Sequence, residues 1–166
     1  CTGLTNIEIP NSVTSIGEST FSGCSSLQSV TIPNSVTSID TGAFIDCTSL
    51  ASVVIPNSVT SIGERAFDGC DKIIEIKVGI EKPITVNRNV FADVVYDNAT
   101  LYVPNGSKSF YEKREPWNLF FYIDETDFTG IDEVKRDNEK VEVIYDMNGR
   151  RITEISKPGL YIINGN

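Results

Sequence analysis

The chain has 166 residues, 40% of them hydrophobic, and a formal charge of −9, which suits one folded domain or an elongated array with attachments. The negative charge disfavours nucleic acid and anionic membrane surfaces as partners, and no apolar run approaches the roughly 20 residues needed to cross a bilayer. Histidine is absent, which removes the commonest general base and the commonest metal ligand together.

Read from its start, the chain repeats itself. The octapeptide IPNSVTSI stands at 9–16, 32–39 and 55–62, always 23 residues apart (32 − 9 = 23, 55 − 32 = 23). Cysteine keeps the same interval at Cys1, Cys24, Cys47 and Cys70, and phenylalanine does so at Phe21, Phe44 and Phe67. The remaining apolar positions follow in phase, as in Leu4, Leu27, Leu50 and Ile73, or Ile7, Val30, Val53 and Ile76. A fixed period of this length is the mark of a solenoid, where each coil buries its apolar side only against its neighbours.

Within one coil, LQSVTI (27–32) alternates apolar and polar residues and is predicted as a strand, with Val30 and Ile32 inward and Ser29 and Thr31 outward. Pro33 has no N–H to donate and ends that strand at a corner. SVTSI (35–39) then crosses to a second side with Val36 and Ile39 inward. The stretch from Asp40 to Cys47 is predicted as a short helical turn that points Phe44 and Cys47 into the core. Residue 1 falls in mid-coil, and a solenoid needs a cap at each end, so further coils are expected upstream of Cys1.

The outward strand positions form the candidate binding face: Asn6 and Glu8, Ser29 and Thr31, Ser52 and Val54, Glu75 and Lys77. Ser and Thr supply 22 of the first 64 residues, and no Lys or Arg precedes Arg65. The four cysteines share one rotational phase, so they are read as a ladder of buried free thiols acting as small apolar residues. A disulfide framework is the alternative that an even count in a secreted protein brings. Cys1 as a lipidated first residue is a further alternative, although the repeat already accounts for it. Metal binding needs convergent ligands, which this spacing does not supply.

The pattern LxxVxIPxxVxxIxxxxFxxC over residues 1 to about 80 resembles the BspA-like (Treponema-type) bacterial leucine-rich repeats. The resemblance implies an α/β solenoid, a right-handed coil of 23-residue repeats with a parallel strand face. It also implies a secreted or cell-surface protein that binds other macromolecules, and it brings no catalytic residues and no cofactor.

Residues 81–125 are predicted as a capping repeat. Ten of the fifteen aromatic residues lie between Phe91 and Phe128. TLYVP (100–104) reads as one more strand, and Ser107 as the N-cap of a short helix that Pro116 stops. Phe110, Tyr111, Trp117, Phe120 and Phe121 are predicted to cover the open end of the stack, with a sugar-stacking platform as the alternative. TLYVPNGSKSFY resembles the segment that ends the array in many BspA-like proteins.

Residues 126–166 are predicted as a small antiparallel β-module. VEVIY (141–145) and RRITEI (150–155) flank Asn148-Gly149, a tight-turn signal, and LYII (160–163) follows Pro158-Gly159. VIYDMNGRRI and GLYIING resemble the C-terminal β-modules of secreted Bacteroidetes proteins, including sorting signals of type IX secretion.

Little in the chain points to chemistry. Asp124, Glu125 and Asp127 are read as solvated acids in a linker rather than a carboxylate pair, and DMNG as a turn rather than a calcium loop. A cryptic hydrolase in the aromatic segment is the remaining enzymatic alternative. The leading expectation is a non-catalytic binder of a host or bacterial surface protein or glycan, acting through the concave strand face. A rigid spacer that binds nothing is the alternative.

Overall fold

The computed structural model describes residues 3–128 and, beyond them, the strand residues 144–145, 151–152 and 162–163. Contacts divide the chain into two compact units, Cys1–Asp132 and Glu133–Asn166.

In the first unit the repeat becomes coils. Strand β1 (Ser15–Ile16) belongs to the first coil, β2 (Ser29–Thr31) and β3 (Ser38–Ile39) to the second, β4 (Ser52–Ile55) and β5 (Ser61–Ile62) to the third, and β6 (Glu75–Val78) to the fourth. Every pairing among them is parallel and in repeat register: Ser29 opposes Ser52, Ser52 opposes Glu75, and Ile39 opposes Ile62. Two parallel sheets result, one on each side of the proline corner, so SVTSI forms a second strand face. Val30, Val36, Ile39, Val53, Ile55 and Ile76 all point inward and are buried.

The third side departs from expectation. Asp40–Cys47 is a run of turns and contains no helix. Gly42 and Asp46 sit at φ 61° and 59°, a left-handed conformation that a right-handed helix cannot absorb. Backbone N–H groups there divide their bonds by parity. Those of Gly42, Phe44 and Asp46 donate to Glu64, Ala66 and Asp68 of the next coil, while those of Ala43, Ile45 and Cys47 donate three residues back. These six N–H groups are all satisfied, three of them between coils, and Phe44 and Cys47 still face the core at 0% exposure.

Inside the stack, like sits on like. Phe21, Phe44 and Phe67 stack with ring centres 5.1 and 5.2 Å apart, close to the roughly 4.8 Å spacing of adjacent strands. Cys24, Cys47 and Cys70 are buried free thiols. The Sγ of Cys47 donates to Phe21 O (3.2 Å), and that of Cys70 donates to Phe44 O (3.1 Å). The thiol is therefore a donor to the preceding coil as well as a space-filler. Cys1 lies outside the described residues.

Past Val78 the coils continue with an irregular period, Glu75 facing Thr100 and Thr100 facing Tyr122. Strand β7 (Thr100–Pro104) pairs parallel with β6, and β8 (Tyr122–Thr126) pairs parallel with β7, which completes the five-stranded order β2-β4-β6-β7-β8. Phe91 extends the ring column, 5.4 Å from Phe67. It then meets Tyr96, Trp117 and Phe120 edge-on, so the stack ends in a herringbone cluster rather than an open ring face.

Two helices accompany these strands, α1 (Asp93–Asn98) and α2 (Lys108–Tyr111). Of the five aromatics expected to cover the stack, Tyr111, Trp117 and Phe120 are buried, whereas Phe110 and Phe121 are 47% and 76% exposed. The buried polar tips are satisfied: Tyr111 OH donates to Ile80 O (2.6 Å) and Trp117 Nε1 to Ile84 O (2.8 Å). Ser107 stands at the N-cap of α2 without a side-chain capping bond. Glu125, from β8, accepts from Lys108 N (2.9 Å) in its place.

In the second unit β9 (Ile144–Tyr145) pairs antiparallel with both β10 (Arg151–Ile152) and β11 (Ile162–Ile163). The predicted turns at Asn148-Gly149 and Pro158-Gly159 lie outside the described residues.

Candidate binding face

Alternation along each strand sends Val30, Val53, Ile76 and Leu101 into the core and their neighbours to the other side. Because the coils are in register, these outward residues line up across the five-stranded sheet. One column runs Asn6, Ser29, Ser52, Glu75. The other contains Thr31, Val54 and Lys77, and Glu8 is exposed 23 residues before Thr31. Asn6, Ser29 and Thr31 are exposed, while Ser52, Val54, Glu75 and Lys77 are half-buried.

Within this set only Glu75 and Lys77 form an ion pair, Nζ to Oε1 at 2.9 Å. Both side chains are more than a third exposed, where such a pair contributes little to stability. Its effect is orientation. The same Nζ lies 5.9 Å from the ring centre of Tyr102, which holds the ammonium over the aromatic face.

The columns do not stop at Glu75 and Lys77. Thr100 and Tyr122 extend the first, and Tyr102 and Asp124 extend the second. These four residues were not predicted as part of the face. The alternation in TLYVP carried a signal for two of them. Asp124 and Glu125 are members of β8 and not of a linker, and they leave the strand on opposite sides, Glu125 toward α2. Beside β8 opens a cleft of about 550 Å³, whose walls include Thr100, Tyr102, Lys108, Glu112, Asn118 and Asp124, with Phe121 and Tyr122 beside them.

The face carries hydroxyl, amide, carboxylate and ammonium groups but no arrangement of nucleophile and base. Among the described residues no cluster of three or more His, Cys, Asp or Glu side chains is placed to hold a metal ion, and no helix is long and apolar enough to span a membrane. The DMNG segment (146–149), read as a turn rather than a calcium loop, lies outside the described residues. The Cys47 thiol beside it, together with burial, pushes the Cys70 thiol above its usual range, which keeps it protonated and unreactive.

A family model described as the BspA type leucine rich repeat region matches residues 1–113, in six copies. The match reaches past the 23-residue register into β7 and α2. Among curated proteins none matches the chain.

Proposed function

The chain belongs to the BspA-type leucine-rich repeat family, and from that premise we propose that it is a secreted or cell-surface adhesion protein which holds a partner protein against the outward side of its five-stranded sheet, without catalysis. The family suggests a protein-interaction role. One observation carries the finer reading. Core columns keep their residue type from coil to coil, as in Val30, Val53 and Ile76, while the outward columns change, from Asn6, Ser29 and Ser52 to Glu75 and from Thr31 and Val54 to Lys77. Stacking constrains the core, but it does not require the outward side to vary. A surface that is held rigid while its chemistry varies suits recognition through many weak contacts.

Export fits the same reading. The resemblance of VIYDMNGRRI and GLYIING to secretion-sorting modules supports residues 126–166 as an address for the surface.

The test is binding to an array of purified surface and matrix proteins, with wild type beside a variant carrying Glu8→Ala, Thr31→Ala, Glu75→Ala and Lys77→Ala. A loss of tenfold or more in apparent affinity supports the reading. Equal signals from both proteins, or none from either, favour a rigid spacer.

A further inference from the structure

The geometry points to a second recognition site, a cleft beside β8 that takes an uncharged oligosaccharide. It takes the last two strands of the sheet, where the outward columns end in Thr100, Tyr102, Tyr122 and Asp124, and its argument does not depend on the protein-binding reading above.

The outward surface changes character at the last two strands. In coils two and three it carries Ser29, Ser52, Thr31 and Val54, whereas β7 and β8 present Tyr102, Tyr122 and Asp124. Phe121 is 76% exposed and Tyr122 53% exposed, with their rings 4.9 Å apart and nearly perpendicular. Three aromatics of the same segment, Tyr111, Trp117 and Phe120, are buried in the cluster that ends the ring column. The fold therefore separates these aromatic residues into a buried set and an exposed one, and of the exposed ones Phe121 and Tyr122 flank the cleft, beside Tyr102 and an edge of the buried Phe120.

Apart from Phe120, Ile123 and Tyr102, the remaining lining is polar. Among the described residues, the side chains of Thr100, Glu112, Asn118 and Tyr122 make no hydrogen bond, so their donors and acceptors are free for a ligand. A pyranose ring matches this mixture, because one face shows C–H groups to an aromatic ring while its rim offers hydroxyls in both bonding senses. The volume of about 550 Å³ falls among those of small-molecule clefts.

Other ligand classes fit less well. An apolar peptide would cover Thr100, Glu112 and Asn118 without partners, and an unpaired buried polar group is costly. An anionic ligand would meet Asp124 and Glu112 on a chain of charge −9. A strongly basic one would meet Lys108 in the cleft wall.

Affinity electrophoresis of the full chain in gels containing glycogen, laminarin, xyloglucan or galactomannan tests the site. Wild type is expected to be retarded by at least one of the four. The double variant Phe121→Ala, Tyr122→Ala is expected to lose tenfold or more of that affinity, and Tyr122→Phe, which keeps the ring, to retain most of it. Both positions are exposed, so circular dichroism of the variants should match wild type. A variant changed at Glu8 and Thr31, which lie in the first two coils and outside the cleft lining, should be retarded like wild type, which separates this site from the protein-binding columns of those coils. No retardation by any of the four polysaccharides, or equal retardation of the double variant, overturns the proposal. Binding of an oligolysine peptide that depends on Tyr122, read by fluorescence anisotropy, also overturns it and assigns the cleft to a basic partner.

Discussion

Phe44 shows how one residue carries the stack. Its ring is fully buried, with Phe21 5.1 Å away on one side and Phe67 5.2 Å away on the other, so truncation opens a cavity that neighbouring coils cannot fill without losing register. Phe44→Ala should cost about 3–5 kcal/mol. Phe21→Ala should cost clearly less, since that ring is only half-buried and has one stacking neighbour among the described residues. Urea midpoints for the two variants check the ranking, and equal costs would deny the column its role. The buried hydroxyls make a second prediction at this scale. Burial pushes Tyr96 up to about 12, against the lowering pull of the Phe91 backbone and the Arg88 charge, and burial pushes Tyr111 up as well. An unfolded tyrosine ionises near pH 10, so above that pH the unfolded chain releases protons that the native chain retains. Stability should therefore hold below about pH 10 and fall as pH rises toward 12. Urea midpoints that stay constant between pH 9 and pH 12 would contradict this, and Tyr96→Phe should flatten the decline.

At the scale of the element, what matters is how closely one coil approaches the next. Gly17 and Gly63 occupy the same repeat position two periods apart, yet their surroundings differ. A Cβ on Gly63 would lie 2.7 Å from the carbonyl carbon of Asp40 and 2.9 Å from Cα of Thr41, whereas one on Gly17 would meet only Thr20 Oγ1 at 3.4 Å. Backbone atoms of a neighbouring coil cannot rotate aside, so Gly63→Ala should destabilise by about 1–3 kcal/mol. Gly17→Ala should be close to neutral. Thermal melts of the pair read the difference directly, and equal shifts would show that the coils slide apart easily. The same stacking decided what was legible in the sequence. Positions locked by stacking repeat every 23 residues, which made the strands, the proline corner and the cysteine and phenylalanine columns readable one by one. The later coils pair at other intervals, Glu75 with Thr100 and Thr100 with Tyr122, and insertions such as α1 hid their phase. No repeat phase therefore marks Tyr102, Tyr122 and Asp124 as members of the face, and only the alternation in TLYVP (100–104) carries a signal for the first of them. The sequence of Asp40–Cys47 does not separate a helix from a run of turns, because helical and i−3 turn patterns both point Phe44 and Cys47 inward. Only the backbone conformations of Gly42 and Asp46 separate them.

At the scale of the whole first unit, stability should be a gradient along the stack. A solenoid has few contacts beyond nearest neighbours, so each coil is as protected as the two that flank it. In the first coil Leu4, Ile7, Val13 and Phe21 are only partly covered, while β4 lies between β2 and β6 with Val53 and Ile55 at 0% exposure. At the other end the cluster of Tyr96, Trp117 and Phe120 closes the ring column. Hydrogen–deuterium exchange followed by mass spectrometry should find β1 exchanging fastest among the strands of this unit and β4 and β6 slowest. Trp117→Ala removes the ring that packs against Phe91 and Tyr111. It should speed exchange in β7 and β8 well before β2 responds. A two-state unit would answer the same substitution with an equal rise at every slowly exchanging amide. Uniform acceleration from β2 to β8 would mean that the stack unfolds as one body, and would remove the nearest-neighbour account of its stability.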